Sequence, residues 1–267
     1  MEQPILHMAT HTLDAAPHWH VIDFISDLHL QASEQATFLA WQNYLVNTPA
    51  DALFILGDLF EVWVGDDVAN VPPGQAAGFE VQCQQLLAAA SQRLTVYFMH
   101  GNRDFLLGES FAAACGMRLL GDPTVLVFDD QRWLLSHGDA LCLADTDYQQ
   151  FRTLVRTPAW QAAFLAKPLA ERQTIARQLR TQSEHHKRSG ATYADVDTAA
   201  ALQWLEATQA STLIHGHTHQ PADHVLNPGA IAPKRRLVLS DWEAAAIPPR
   251  LEVLRLSHCA APERLKI

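Results

Sequence analysis

Apolar residues run together in short blocks along this chain, and polar residues cluster directly behind them. Val21–Ser26, Ala52–Leu56, Leu94–Met99 and Thr212–His215 are short and mostly apolar, the pattern of strands buried on both faces. Ala36–Leu45 and Ala76–Gln92 carry apolar residues at helical spacing. Phe105–Cys115 predicts a short helix ended by Gly116. Thr124–Phe128 and Arg132–Ser136 flank Asp129-Asp130 as the arms of a hairpin flank its turn. A long helical stretch follows over about 146–207, interrupted near Thr157-Pro158 and Lys167-Pro168, where proline cannot continue a helix. Two further β-like runs, Arg236–Ser240 and Arg250–Leu256, lie in the tail.

Strands alternating with helices, followed by antiparallel strands, predict an α/β fold: a layered sandwich of β-sheets flanked by helices. The helical block at about 146–207 breaks the alternation and reads as an inserted helical cap within a domain spanning 21–267. Residues 1–20 predict a loose N-terminal extension, without the basic start and apolar centre of a signal peptide. No apolar run approaches the roughly 18–20 residues of a membrane span, so no transmembrane helix is expected and the protein is expected in the cytoplasm.

Composition sharpens this picture in three places. A chain of 267 residues with 48% hydrophobic content suits one large domain with an insertion. The net charge of -10 argues against general nucleic-acid binding through phosphate neutralisation. Between Gln150 and Gly190, however, eight basic residues face only two acidic ones, Glu171 and Glu184, so this acidic chain carries a basic island suited to an anionic partner. The four cysteines, Cys83, Cys115, Cys142 and Cys259, are far apart and form no CxxC pair; they are expected as buried, reduced thiols.

The candidate chemistry sits just past each strand. Ser26-Asp27-Leu28-His29 follows the first, Gly57-Asp58 the second and Gly101-Asn102-Arg103-Asp104 the third. His137-Gly138-Asp139 follows the hairpin, and His215-Gly216-His217-Thr218-His219 the late strand. Strand ends on one edge of an open α/β sheet lie together and form ligand sites. Each cluster alone is an ordinary turn signal. Together, Asp27, His29, Asp58, Asn102, His137, His217 and His219 exceed what one four-coordinate ion needs, and they suit two ions sharing a carboxylate. The two-residue step from His217 to His219 would point both imidazoles to one side of an extended strand. Carboxylate, imidazole and amide donors without thiolate favour Mn²⁺, Fe²⁺ or Zn²⁺ over Mg²⁺ alone. Glu61, Asp66 and Asp67 fit a solvated loop or a supporting role equally. His7, His11, His18 and His20 precede the first strand without spacing to the site, and His224 and His258 read as structural or surface residues.

The five blocks DxH, GD, GN, H and GHxH, in this order, resemble the calcineurin-like metallophosphoesterases. ISDLHL, ILGDLFEVWVGDD, HGNRDFLLG, LSHGDALC and LIHGHTHQP are most similar to the branch that acts on a UDP-linked diacylated glucosamine lipid. The resemblance implies a metal-dependent hydrolase of lipid A biosynthesis. One ion would be held by Asp27, His29 and His219, the other by Asn102, His137 and His217, with Asp58 bridging and Mn²⁺ as the metal. A hydroxide between the ions would attack the α-phosphorus. Most of the family carries His after the Asn; Arg103 stands here, a cationic fork for phosphoryl oxygens that keeps its proton at neutral pH. Catalysis is therefore assigned to Arg103, Asn102 and His217. Asn102, Arg103, Asp145, Tyr148, Arg180, Ser183, Lys187 and His217 are expected at the substrate. The family pattern has a further Lys near position 190, where this chain has Gly190 with Lys187-Arg188 upstream. A cap basic on one face and apolar on the other implies peripheral contact with an anionic surface, the cytoplasmic face of the inner membrane. No nucleic acid and no obligate protein partner are expected. A related phosphodiesterase acting on a nucleotide or another soluble diester stands as the alternative, and an inactivated binding module is disfavoured because all seven donors are present.

Overall fold

Alternation within the buried strands sets the layers. In β2 (Val21–Ile25), Ile22 and Phe24 join one apolar cluster and Ile25 another. In β3 (Ala52–Leu56), Ala52, Phe54 and Leu56 face the first cluster, and Leu53 and Ile55 the second. A strand apolar on both faces must be covered on both sides. The computed structural model, which describes residues 11–70, 77–188 and 194–267, shows how this is done.

Two six-stranded sheets pack face to face. In the first, β2, β3, β4 (Thr95–Met99) and β5 (Met117–Leu120) run parallel, with β11 (Glu252–Ser257) and β12 (Glu263–Lys266) antiparallel beyond β2, in the order β12-β11-β2-β3-β4-β5. The second has the order β1-β6-β7-β8-β10-β9, built from β1 (His11–Asp14), β6 (Thr124–Phe128), β7 (Gln131–Leu135), β8 (Thr212–His215), β9 (Ala222–Val225) and β10 (Arg235–Val238). Phe54 lies between the sheets, stacked on Phe24 and Tyr97 with ring centroids 5.2 and 4.8 Å away. The outer face of the first sheet is covered by α1 (Gln35–Asn47), α2 (Phe79–Ala90) and α3 (Glu109–Cys115), which bring Trp41, Leu87 and Phe111 into its cluster.

The inserted block holds four helices, α4 (Thr146–Val155), α5 (Pro158–Leu165), α6 (Leu169–Arg188) and α7 (Thr198–Ala207). Their starts are encoded locally. Asp145, Thr157 and Asp197 accept from the backbone N–H three residues on, and Pro158 opens α5 where its missing N–H costs nothing. The first three helices stand over the strand ends, whereas Ala201 and Leu205 of α7 pack with Val125, Leu134 and Leu213 on the outer face of the second sheet. Arg172, at the start of α6, is buried; it donates to Val64 O and pairs with Asp67, fixing the cap to the loop after β3.

Four strands lie outside the sequence expectation: β1, β5, β9 and β12. Each has four residues, mixed composition and mostly exposed or half-buried positions, so none forms an apolar block. The segment read as a loose extension thus contributes an edge strand, paired parallel with β6. The expectation for the cysteines holds for Cys83, Cys115 and Cys142, but Cys259 is exposed because it sits in the turn after β11.

Asp23 on β2 ties the first sheet to its helices. It is fully buried and accepts from Tyr44 Oη (2.9 Å), Thr48 Oγ1 (2.7 Å) and both Nε (2.7 Å) and Nη2 (2.8 Å) of Arg255. Removing one partner of such a pair strands the other charge. Asp23→Ala is expected to lower stability by about 3–5 kcal/mol, read as a lower urea midpoint at unchanged slope.

Candidate metal centre

The loops after β2, β3, β4, β7 and β8 meet at one edge of the sandwich and carry all seven expected donors. Their backbone is unusual. Asp27 (φ 53°), His29 (φ 48°), Asp58 (φ 52°), His217 (φ 67°) and His219 (φ 54°) are all in the left-handed region. Each such residue costs about 1–3 kcal/mol, and the conformation persists only where surrounding bonds enforce it. Here Asp27 N donates to Gly57 O (3.1 Å), His29 N to Asp58 O (3.0 Å) and Gly216 N to His137 O (3.0 Å). Glycine is required at two contacts: a Cβ on Gly57 would collide with His137 Nδ1, and one on Gly101 with the Asp58 carboxylate. The extended step expected for His217 and His219 is not what forms. Both residues lie past β8 in left-handed conformation, and their rings go to different donor groups.

In the first group, Asp27 Oδ1 lies 3.3 Å from His219 Nε2 and 4.0 Å from His29 Nε2, and the two imidazole nitrogens are 3.3 Å apart. In the second, Asn102 Oδ1 lies 3.0 Å from His137 Nε2 and 2.8 Å from His217 Nδ1. Asp58 stands between the groups: one ligand atom each from Asp58, Asp27 and His137 lies within 4.8 Å of the others. Asp27 Oδ1 is buried without a hydrogen-bond partner. A buried carboxylate oxygen left unpaired beside converging imidazoles fits a divalent cation, because such a cation supplies the missing partner.

The remaining ring nitrogens are used for orientation. His137 Nδ1 donates to Leu56 O (2.9 Å), and His29 Nδ1 lies 2.9 Å from Glu61 Oε2, so both Nε2 atoms are turned inward. Burial disfavours the His137 imidazolium, yet Asp58, Asp27 and Asp139 outweigh it and hold its pKa up at about 9. Burial and the neighbouring His137 push His217 down to about 3. Burial alone would raise Asp27, but His219, 3.3 Å away, and the other nearby imidazoles hold it well below the usual carboxylate range. His215 is buried with Nδ1 donating to Gly216 O (2.8 Å), outside both groups.

Three acidic residues besides the seven donors support the centre. Fully buried Asp104 accepts from Asp58 N (3.3 Å) and Gly101 N (2.9 Å) through Oδ1, and from Leu59 N (2.7 Å) and Phe60 N (3.3 Å) through Oδ2. It thereby locks the Asp58 loop to the Asn102 loop. Glu61 holds His29, lies 3.7 Å from Arg103 Nη1 and pairs with Arg180 on α6. Asp139 is buried and accepts from Tyr148 Oη (2.5 Å) and Arg152 Nε (2.8 Å) of α4. The sequence signal for Glu61 and Asp139 was their position, three residues after Asp58 and two after His137. Asp66 and Asp67 brace the loop instead, Asp66 by accepting from Gly108 N and Phe111 N, Asp67 through Arg172.

The centre opens into a cavity of about 500 Å³ beneath the cap. Its lining includes His29, Asp58, Asn102, Arg103, His217 and His219 together with the apolar side chains of Trp63, Phe105, Trp160, Phe164 and Leu179. Of the expected substrate residues, Asp145, Tyr148 and Arg180 line it too, and the Tyr148 ring stacks on His217 with centroids 6.0 Å apart. Ser183 and Lys187 fall on α6 where side chains lie outside the described residues, as does the segment around Gly190. Arg103 Nε is buried without a hydrogen-bond partner.

Residues 20–221 match the profile of the calcineurin-like phosphoesterases, a span containing all seven donors. The chain is 47% identical over 230 residues to the UDP-2,3-diacylglucosamine hydrolase of Chromobacterium violaceum, covering 83% of this chain and 90% of that one. It is 48% identical over 224 residues to the protein of the same name from Aromatoleum aromaticum (82% and 88%). It is 44% identical over 222 residues to that from Aeromonas hydrophila (82% and 89%).

Asp104→Asn replaces an accepting oxygen with an N–H₂ group facing backbone N–H donors. The expected result is a loss of about 1–3 kcal/mol in denaturant unfolding, together with less than the wild-type complement of bound divalent metal by elemental analysis. Unchanged metal content would show that the two loops hold their register without it.

Proposed function

The chain belongs to the calcineurin-like phosphoesterases, and from that membership we propose that it hydrolyses the pyrophosphate bond of UDP-2,3-diacylglucosamine to UMP and 2,3-diacylglucosamine 1-phosphate. The observation that carries the reading is that one cavity brings together candidate metal donors and the Arg103 guanidinium with a group of apolar side chains, Trp63, Phe105, Trp160, Phe164 and Leu179. A nucleotide-linked lipid has the same two halves.

In this reading Asp27, His29 and His219 would hold one divalent cation and Asn102, His137 and His217 the other, Asp58 would contribute its carboxylate to the pair, and Mn²⁺ would be the metal. Bound there, the pair supplies Lewis-acid polarisation of the phosphoryl group and lowers the pKa of coordinated water. The protein's part is orientation and charge. Glu61 and Leu56 O aim the imidazoles. Asn102, Arg103 and His217 face the phosphoryl group, and the Arg103 guanidinium donates to an oxygen whose charge grows as the bond to the leaving phosphate breaks. Water adds across the α-phosphorus–oxygen bond, its hydroxyl leaving with UMP and the acylated sugar phosphate taking the bridging oxygen. Asp145, Tyr148, Arg180, Ser183 and Lys187 serve the headgroup, and the acyl chains enter between Trp160, Phe164 and Leu179.

Val62, Phe151, Leu154, Leu165 and Leu179 are exposed on the cap and the facing loop, in the part of the chain richest in Lys and Arg. This combination supports peripheral docking on an anionic membrane surface from the cytoplasmic side. Among the described residues no helix is long and apolar enough to cross a membrane.

The test is direct. Metal-stripped protein is incubated with UDP-2,3-diacylglucosamine in detergent micelles and ¹⁸O-labelled water, with and without Mn²⁺. Metal-dependent release of UMP carrying the label is expected. Label in the sugar phosphate would move the attack to the other phosphorus, and cleavage of only a soluble diester would replace the lipid substrate with a nucleotide-type one. Arg103→Ala is expected to lower kcat by about 10²–10³-fold, the usual loss for one transition-state donor. Arg180→Ala should raise KM more than it lowers kcat; equal kinetics to wild type would remove Arg180 from the headgroup.

A further inference from the structure

At the opposite edge of the sandwich, three side chains of different ligand chemistry meet. Asp129 sits in the turn between β6 and β7 of the second sheet, and His258 and Cys259 follow β11 of the first. One ligand atom from each lies within 4.8 Å of the other two. Asp129 Oδ1 is 2.8 Å from His258 Nδ1, and Asp129 Oδ2 accepts from Cys259 N at 2.8 Å. His258 N donates to His20 O at 2.9 Å, and the two imidazoles stand edge to face with centroids 6.2 Å apart.

This cluster is separate from the metal centre. His20 precedes β2, whose other end delivers Asp27, and the Asp129 turn precedes β7, whose other end delivers His137. Five residues of strand separate the two edges by about 16 Å. The chemistry differs as well. Asp129 Oδ1 and His258 Nδ1 already face each other at 2.8 Å, so a cation placed between them and the Cys259 sulfur would take over that contact with both atoms as ligands. Cys259 is exposed, whereas burial pushes the Cys115 and Cys142 thiols up to about 12 and raises Cys83 as well. Sulfur, imidazole and carboxylate together select zinc-like ions over Mg²⁺ or Mn²⁺.

We propose that Asp129, His258 and Cys259, with His20 alongside, bind one divalent transition metal of the zinc type and clip the two sheets together at this edge. The residues joined are 130 positions apart in the chain, so such a clip closes a long loop and couples metal binding to folding. None of this depends on the substrate proposed above.

Cobalt provides the test. A thiolate ligand gives Co²⁺ a near-ultraviolet charge-transfer absorption that the nitrogen and oxygen donors of the metal centre cannot produce. On titration of the metal-stripped full chain, this absorption should rise to one equivalent in wild type, vanish in Cys259→Ser and weaken in His258→Ala. Hydrolase activity and the cobalt bound at the metal centre should be equal in all three. Zinc should raise the Tm of wild type more than that of Cys259→Ser. Identical near-ultraviolet spectra for wild type and Cys259→Ser would overturn the proposal, as would equal thermal shifts.

Discussion

Seven electron-pair donors are aimed at one small volume, and the chain bends its backbone out of the ordinary regions to do it. Five of them occupy left-handed conformations without being glycine. Such an arrangement is unfavourable twice over, once through steric strain and once because carboxylates and imidazole lone pairs face one another instead of water. Cations relieve the second term. The first is held by the rest of the fold: backbone bonds between neighbouring loops, the four N–H groups gathered by Asp104, and glycines where any side chain would collide.

The cap is joined to the centre by hydrogen bonds as well as by chain connectivity. Tyr148 and Arg152 of α4 both end on Asp139, two residues past His137, and Arg156 Nη2 donates to Gly101 O at 2.8 Å, beside Asn102. On the other side, α6 is anchored twice, through Arg172 at its start and Arg180 on Glu61. The cavity between these anchors is therefore bounded by elements whose position is referred to the metal donors themselves. This gives the reacting centre and the apolar pocket a fixed relation, as a substrate with one end on each requires.

Strands with mostly apolar runs were legible because burial on both faces leaves few polar positions: Ala52–Leu56 is apolar throughout, and Thr212–His215 keeps its apolar pair between two buried polar residues. The edge strands β1, β5, β9 and β12 were not, since a four-residue strand with one open face looks like a loop. The donors were legible because each follows a readable strand. Their geometry was not: nothing in the sequence reveals that His217 and His219 sit on left-handed backbone and serve different groups. Cap residues were the least legible, because their meaning lies in contacts across more than forty positions, as between Glu61 and Arg180 or Arg156 and Gly101.

Glu61 holds His29 on one side and gathers two guanidinium groups on the other. In effect it is a resident anion, occupying cations that a pyrophosphate would also want. Its presence keeps Arg103 and Arg180 extended toward the cavity before any ligand arrives, which lowers the entropic cost of ordering them. On the proposed reading, an incoming phosphate would gain its contacts by exchange against an existing partner, not against water alone. Binding by exchange is weaker than binding to bare charges, and a product that leaves is replaced at once by the carboxylate. On that reading, the site would favour turnover over retention.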